Sequence, residues 1–226
     1  MIKIENTETY GWDAAIRGMR NPLNSWDKID SQWDGLGDAD GFEVGPNDLS
    51  LMQKLVNAGS DHSKFMRMLT VYMDITAPLY WWKEYDTYKV GTVANSCSTM
   101  HKIHDREFED DDFSHEHLFG GGVGLEPGSY FEFDDELFTA GGVLNVIIDA
   151  LNHYRKKYLE TKDKTYWWQM IQLLPSSYNQ RRTVELNYAV LRNMYHARKN
   201  HKLDEWRDFC DYIVNNLPYA EELICS

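Results

Sequence analysis

A chain of 226 residues with 42% apolar and 14% aromatic side chains is long enough to bury a sizeable core without staples, and a single domain over 1–226 is expected. Its net charge of −13 repels a phosphate backbone, so no nucleic-acid partner is expected and any phosphate ligand must be small and locally met. No apolar run approaches the roughly 20 residues that span a bilayer. Cys97, Cys210 and Cys225 form no CxxC pair and the opening residues carry no signal-peptide core, so a cytoplasmic location is expected.

The first clear element is a helix over 47–59, with Asn47 as its cap, Leu51, Met52, Leu55 and Val56 apolar, and Gly59 as its stop. Residues 66–77 are rich in β-branched and apolar types with partial alternation, which predicts a strand closed by Pro78. Leu79-Tyr80-Trp81-Trp82-Lys83-Glu84-Tyr85 is apolar on most sides and predicts a short buried helix, followed by a loop over 87–102. Residues 105–133 combine the acidic run Glu107 to Asp112 with the glycine run Gly120 to Gly124 and lack helical periodicity, so a long surface excursion is expected there. From about 135 the pattern turns helical: Leu144, Ile147, Ile148, Leu151, Tyr154 and Tyr158 recur at three and four residues, and two or three further helices follow. The last carries the stripe Trp206, Phe209, Cys210, Ile213, Val214 and Leu217, which makes Cys210 a core residue.

Several groups carry potential chemistry. His101, His104, His115 and His117 sit among carboxylates, but their spacing fits no known metal finger and a solvated loop is the plainer reading. The glycine run lacks the Lys-Ser/Thr pair of a phosphate loop. Cys97 has Lys102 and His101 nearby in sequence, yet reads as an unreactive loop thiol. Arg181, Arg182, Arg192, Arg198 and Lys199 stand out in an acidic chain, gathered with Asn187 and Asn193 on one predicted helical region that Arg182 opens. Asn187 and Arg198 are eleven residues apart, which on a helix returns to nearly the same face roughly 16 Å along the axis. A guanidinium and a carboxamide on one stripe suit a planar heteroaromatic ligand and its phosphate. The alternative is a solvated helix face.

Leu174-Pro175, Arg181, Asn187, Asn193, Arg198 and Glu205-Trp206-Arg207 resemble the C-terminal signature of the flavin-dependent thymidylate synthases, in which Leu-Pro precedes a helix with two flavin-contacting asparagines and an arginine that contacts the pyrimidine. Gly59 to Arg67 is similar to that family's Gly-His-x-x-x-x-Glu-His segment, and Ala77-Pro78 to the Ala-Pro that ends its strand. Arg20 and Ser25 resemble an Arg and a Ser that reach the flavin. The family loop Arg-His-Arg-x-x-Ser-x-Asn-Glu-x-Ser-x-Arg-Tyr falls on Thr87 to Met100, where only Lys89, Asn95 and Ser98 are chemically close. A lysine is no one-for-one substitute for a guanidinium fork; Ser96, Ser98, Thr99, Lys102, Arg181 and Arg182 are the local groups available to compensate.

The resemblance implies an α+β fold, a mixed or antiparallel sheet wrapped by helices with a helical C-terminal half, assembled as a homotetramer with sites at subunit junctions. It implies FAD as cofactor, with NADPH and methylenetetrahydrofolate as co-substrates in the reductive methylation of dUMP. Ser25, His62, Arg67, Lys89, Asn187 and Asn193 fall on the cofactor side. Glu84, Asn95, Ser96, Ser98, Thr99, Arg181, Arg182 and Arg198 fall on the substrate side, with Arg198 as the catalytic residue. The alternative is a divergent relative that binds flavin or another pyrimidine nucleotide with altered or no catalysis. A third class is an interaction protein that uses the acidic 107–117 segment as a contact surface and is colourless.

Overall fold

Alternation decides the central strand. Val71, Met73 and Ile75 are buried while Tyr72 is exposed and Asp74 and Thr76 are half-exposed, as a side-chain period of two requires. The computed structural model describes residues 1–33, 41–120, 128–134 and 136–226. In chain order these form β1 (Lys3–Tyr10), α1 (Trp12–Arg20), β2 (Gln32–Trp33), β3 (Phe42–Glu43), α2 (Pro46–Asn57), β4 (Thr70–Pro78), α3 (Leu79–Tyr85) and β5 (Val93–Ser96). Then come β6 (Phe131–Phe133), β7 (Glu136–Phe138), α4 (Ala140–Thr161), α5 (Lys164–Leu173), β8 (Asn179–Asn187), α6 (Tyr188–Arg198) and α7 (Asp204–Asn216). A four-stranded sheet has the order β1-β4-β8-β5, and β1 pairs antiparallel with β4 from Lys3↔Thr76 to Tyr10↔Thr70. The expected α+β class is what the chain adopts.

Two compact units share the chain. One comprises Met1, Ala77–Trp82 and Ser96–Arg181; the other comprises Ile2–Thr76, Lys83–Asn95 and Arg182–Ser226. In the second, Trp12 lies edge-on against Tyr188 at 5.4 Å and Tyr219 at 5.5 Å. Met52, Met73, Leu191, Met194, Trp206 and Phe209 are all fully buried there. The C-terminal stripe behaves as expected: Trp206, Phe209, Cys210, Ile213 and Leu217 are buried, and burial pushes the Cys210 thiol up to about 12.

In the first unit, Leu144, Ile148 and Leu151 of α4 and Met170 of α5 bury against Ile103, Phe108 and Phe113. Here the structure corrects the expected surface excursion over 105–133. Phe108 and Phe113 are core residues, each contributing about 1.5–3 kcal/mol by burial. The acidic run between them is tethered: Asp112 is paired with Arg106, and Asn152 of α4 clamps the Phe108 backbone through both its amide atoms, at 2.8 and 2.9 Å. A carboxylate run read as solvated by composition is thus pinned by one arginine and one asparagine distant in sequence. Gly120 is exposed, while the rest of the glycine run falls in 121–127, outside the described residues.

Other boundaries move for identifiable reasons. Residues 64–67 form a 3-10 turn, so the predicted strand begins at Thr70. The 87–102 loop contains β5, whose residues are all exposed and so carry no apolar alternation. The predicted helix from 135 begins at Ala140, where the Thr139 hydroxyl accepts the Gly142 N–H at 3.1 Å. Helix α2 begins at Pro46, and its cap is not Asn47. The Asp30 carboxylate accepts the N–H groups of Asn47 at 2.8 Å and Asp48 at 3.0 Å. Gly45 permits this, because a Cβ there would lie 2.3 Å from Asp30 Cγ.

The largest correction concerns the single helical region read across 181–199. Residues 179–187 are strand β8, with Val184 and Leu186 buried and Thr183 exposed, and the helix starts only at Tyr188. Arg181 and Arg182 are strand residues, and Asn187 is the helix cap. The eleven-residue stripe from Asn187 to Arg198 is therefore not one helix face. Likewise Leu174-Pro175 leads into a strand and not directly into a helix.

Candidate functional site

Three elements of the second unit converge on Arg198. Helix α6 ends on it, the last turn of α3 supplies Glu84, and the start of α7 supplies Trp206; Tyr88 comes from the turn after α3 and His201 from the turn after α6. The Arg198 guanidinium lies 4.9 Å from the Trp206 ring and 5.6 Å from the Tyr88 ring, within the reach of cation–π attraction. Its Nε donates to the Tyr88 hydroxyl at 2.9 Å and its Nη1 to Glu84 Oε2 at 2.7 Å. The same Oε2 accepts the Trp206 indole N–H at 3.2 Å and lies 3.4 Å from His201 Nε2. The Leu203 N–H donates to His201 Nδ1 at 3.2 Å, and Arg198 Nη1 lies 3.0 Å from His201 Nε2, so the imidazole belongs to the same cluster. Arg198 is thus an oriented cation in an aromatic box, and one carboxylate oxygen holds the arrangement together.

The turn between α3 and β5 is fixed by two residues of the same unit. Arg182 Nη1 donates to Asp86 Oδ1 at 2.7 Å. Asn187 accepts the Val190 N–H on Oδ1 at 3.0 Å, capping α6, and its Nδ2 donates to the Gly91 carbonyl at 3.5 Å. Gly91 has φ +77°, and a Cβ there would stand 2.6 Å from Asn187 Nδ2. A side chain at 91 is therefore excluded twice, by backbone strain and by the cap. Lys89 is exposed on this turn and Asn193 is exposed on α6.

Elsewhere in the same unit, a concavity of about 590 Å³ is lined by Arg20, Ser25, Lys28, Asn47, Ser50 and Lys54. Arg20 is 4% exposed; its Nε donates to the fully buried Asp48 at 2.6 Å and its Nη1 to the Ser25 hydroxyl at 3.3 Å. With the Arg20 charge offset by Asp48, the exposed Lys28 and Lys54 bring positive charge to this pocket in a chain of net charge −13, a local attraction for an anion.

Of the residues singled out from sequence, the structure brings Glu84 and Arg198 into direct contact and fixes Arg182 and Asn187 to the turn that carries Lys89 and Tyr88. Ser25 belongs to the cationic pocket. His62 and Arg67 are exposed between α2 and β4. Asn95 is exposed on β5. In the first unit Ser96 is exposed, the Ser98 hydroxyl accepts the His101 N–H at 3.0 Å, Thr99 is half-buried, and the Arg181 carbonyl accepts the Cys97 N–H at 2.9 Å. Among the described residues no cluster of three or more His, Cys, Asp or Glu side chains is arranged to hold a metal. Tyr88, His201, Lys28 and Lys54 were not singled out from sequence, and Trp206 was named in the family signature and in the amphipathic stripe but given no place beside Arg198. Nothing local pairs Tyr88 with a residue 110 positions away.

The fold is that of the ThyX-type flavin-dependent thymidylate synthases. It matches ThyX from Helicobacter pylori, solved with FAD and dUMP, at 17% identity and TM-score 0.66 over 99% of this chain and 97% of that one. A second structure of the Helicobacter pylori enzyme, complexed with FAD and dUMP, matches at 18% identity and TM-score 0.65, again over 99% and 97%. A UMP/dUMP methylase, PolB from Streptomyces cacaoi bound with 5-Br dUMP, matches at 14% identity and TM-score 0.58 over 98% and 91%. No protein-family model and no curated protein matches the sequence itself. No helix among the described residues is long and apolar enough to cross a membrane.

Proposed function

We propose that this chain is a flavin-dependent pyrimidine-nucleotide methylase that carries out the reductive methylation of dUMP, with FAD as cofactor and NADPH and methylenetetrahydrofolate as co-substrates, in a homotetramer. The observation that carries this is Arg198, held by Glu84 and Tyr88 over the Trp206 ring. The fold shared with enzymes solved with FAD and dUMP, or with 5-Br dUMP, supplies the context.

The residues present suit the cofactor. Lys28 and Lys54 offer the charge, and Ser25 and Ser50 the hydroxyl donors, that suit a pyrophosphate, with Arg20 beside them held by Asp48. Lys89 and Asn193, both exposed, and Asn187, beside the turn it holds, complete the cofactor side, with His62 and Arg67 as outer contributors. When bound, the flavin supplies the hydride of the reductive methylation. The chain's own part in the chemistry is electrostatic. The Arg198 guanidinium donates to a pyrimidine carbonyl as negative charge develops on the ring. Glu84, Tyr88 and Trp206 fix its plane, so that little reorientation is needed at that moment. Asn95, Ser96, Ser98, Thr99, Arg181 and Arg182 are the groups assigned to the nucleotide's sugar and phosphate.

A second reading keeps the flavin and a pyrimidine nucleotide but changes the chemistry. It is favoured by Thr87 and Tyr88, which stand where the family loop has Arg and His, leaving Lys89 as the cation of that turn. The visible absorption of the purified protein tests both. A flavin band that shifts on adding dUMP is expected. A colourless protein that binds no nucleotide after reconstitution with FAD would end both readings and leave a binding scaffold.

A further inference from the structure

We infer that Glu84 selects the base: its carboxylate accepts the ring N3–H of a uracil-type base while Arg198 donates to the adjoining carbonyl. This rests on the pyrimidine-nucleotide reading above and goes further by naming the residue that rejects other bases.

Glu84 makes every one of its side-chain contacts through a single oxygen. Oε2 receives Arg198 at 2.7 Å and Trp206 at 3.2 Å, with His201 at 3.4 Å. Among the described residues Oε1 carries no hydrogen bond. Arg198 spends Nη1 on that carboxylate and on His201 Nε2 at 3.0 Å, and Nε on the Tyr88 hydroxyl, and among the described residues its Nη2 carries none. The two side chains remain 35% and 20% exposed. The joined pair therefore keeps one acceptor, Glu84 Oε1, and one donor, Arg198 Nη2, each covalently one atom removed from the Nη1···Oε2 bond.

Such a pair matches the imide edge of uracil, an N–H next to a carbonyl oxygen. A carboxylate only accepts. Cytosine carries a lone pair at N3, which a carboxylate repels, and an N3-methyl group replaces the proton with bulk. Glutamine at 84 would hold the same shape but turn either its oxygen or its NH₂ to the ring, so the charge is what supplies the repulsive element. The Trp206 indole N–H and Arg198 Nη1 both donate to Oε2, which keeps that oxygen occupied and leaves Oε1 for the ligand.

The test is calorimetric binding of dUMP, dCMP and N3-methyl-dUMP to the purified protein and to Glu84→Gln. Wild type is expected to bind dUMP about 10- to 100-fold more tightly than either analogue, the range that one well-formed two-point contact gives. In Glu84→Gln the preference for dUMP over dCMP should fall by about tenfold, whereas a merely structural role would weaken both nucleotides alike. Wild-type protein that binds N3-methyl-dUMP as tightly as dUMP overturns the inference without any variant, as does a Glu84→Gln protein with the wild-type preference. Wild-type protein that binds none of the three removes the nucleotide reading itself.

Discussion

Purified Arg198→Ala protein is expected to keep its flavin band and lose at least about 100-fold in turnover, the usual cost of deleting one preorganised donor aimed at developing charge. Retention of flavin follows from geometry, because Lys28 and Lys54, assigned to the cofactor's pyrophosphate, line a pocket in which Arg198 has no part. The substitution should not unfold the chain. Arg198 is partly exposed, and its removal leaves Glu84 still bonded to the Trp206 indole at 3.2 Å. Arg198→Lys separates charge from shape: a lysine restores the cation but cannot donate to Glu84 and Tyr88 at once in one plane, so only partial recovery is expected. Steady-state rates of dTMP formation beside absorbance spectra of each variant provide the measurement. Wild-type turnover in the alanine variant would remove Arg198 from the chemistry.

The second large effect concerns stability. Asp48 is fully buried and accepts four hydrogen bonds, from Arg20 Nε at 2.6 Å, the Asp30 N–H at 3.0 Å, the Ser31 N–H at 3.1 Å and the Ser31 hydroxyl at 2.7 Å. Asp48→Ala leaves the guanidinium of Arg20 buried and uncompensated, which costs about 3–5 kcal/mol. For a chain of this size that corresponds to a fall of about 10 °C in Tm. Asp48→Asn keeps the shape and should cost less. A loss under about 1 kcal/mol in urea denaturation of the alanine variant would contradict this. Burial pushes the Asp48 carboxyl up, but the hydrogen bonds from Ser31, Arg20 and the Asp30 backbone outweigh it and hold it below its ordinary value of 3.8. The stabilisation is therefore fully present above pH 3.8 and is lost as pH falls through the lower folded value. The asparagine variant should lack this part of the acid transition.

How much of this was legible depends on whether the determining contact is local. Helix α7 could be read because Trp206, Phe209, Cys210, Ile213 and Leu217 all face one core. Helix α4 could be read for the same reason. Strand β8 was hidden by Arg181-Arg182 at its start and by a helix that follows with no intervening turn; the alternation Thr183, Val184, Glu185, Leu186 was its available signal. Strand β5 was hidden because all its residues are exposed. The site divided along the same line. Glu84 and Arg198 were both named from resemblance, but nothing in a linear chain shows that residues 114 positions apart share a hydrogen bond. Phe108 and Phe113 were misread because the charges between them dominated the composition of the segment, while the asparagine that holds Phe108 lies 44 residues on.

The pairing of Arg198 with Glu84 also bears on how a nucleotide arrives. A guanidinium already neutralised by a carboxylate at 2.7 Å has almost no field beyond a Debye length, about 8 Å at physiological ionic strength. What an approaching dianion senses is the remainder of a polypeptide carrying −13, so its encounter is opposed until it reaches hydrogen-bonding range. The bimolecular rate constant for nucleotide capture should accordingly climb as sodium chloride is added, the reverse of an enzyme that draws in its anionic substrate from afar. A stopped-flow series in which the rate falls with salt would mean that some unbalanced cation governs the approach.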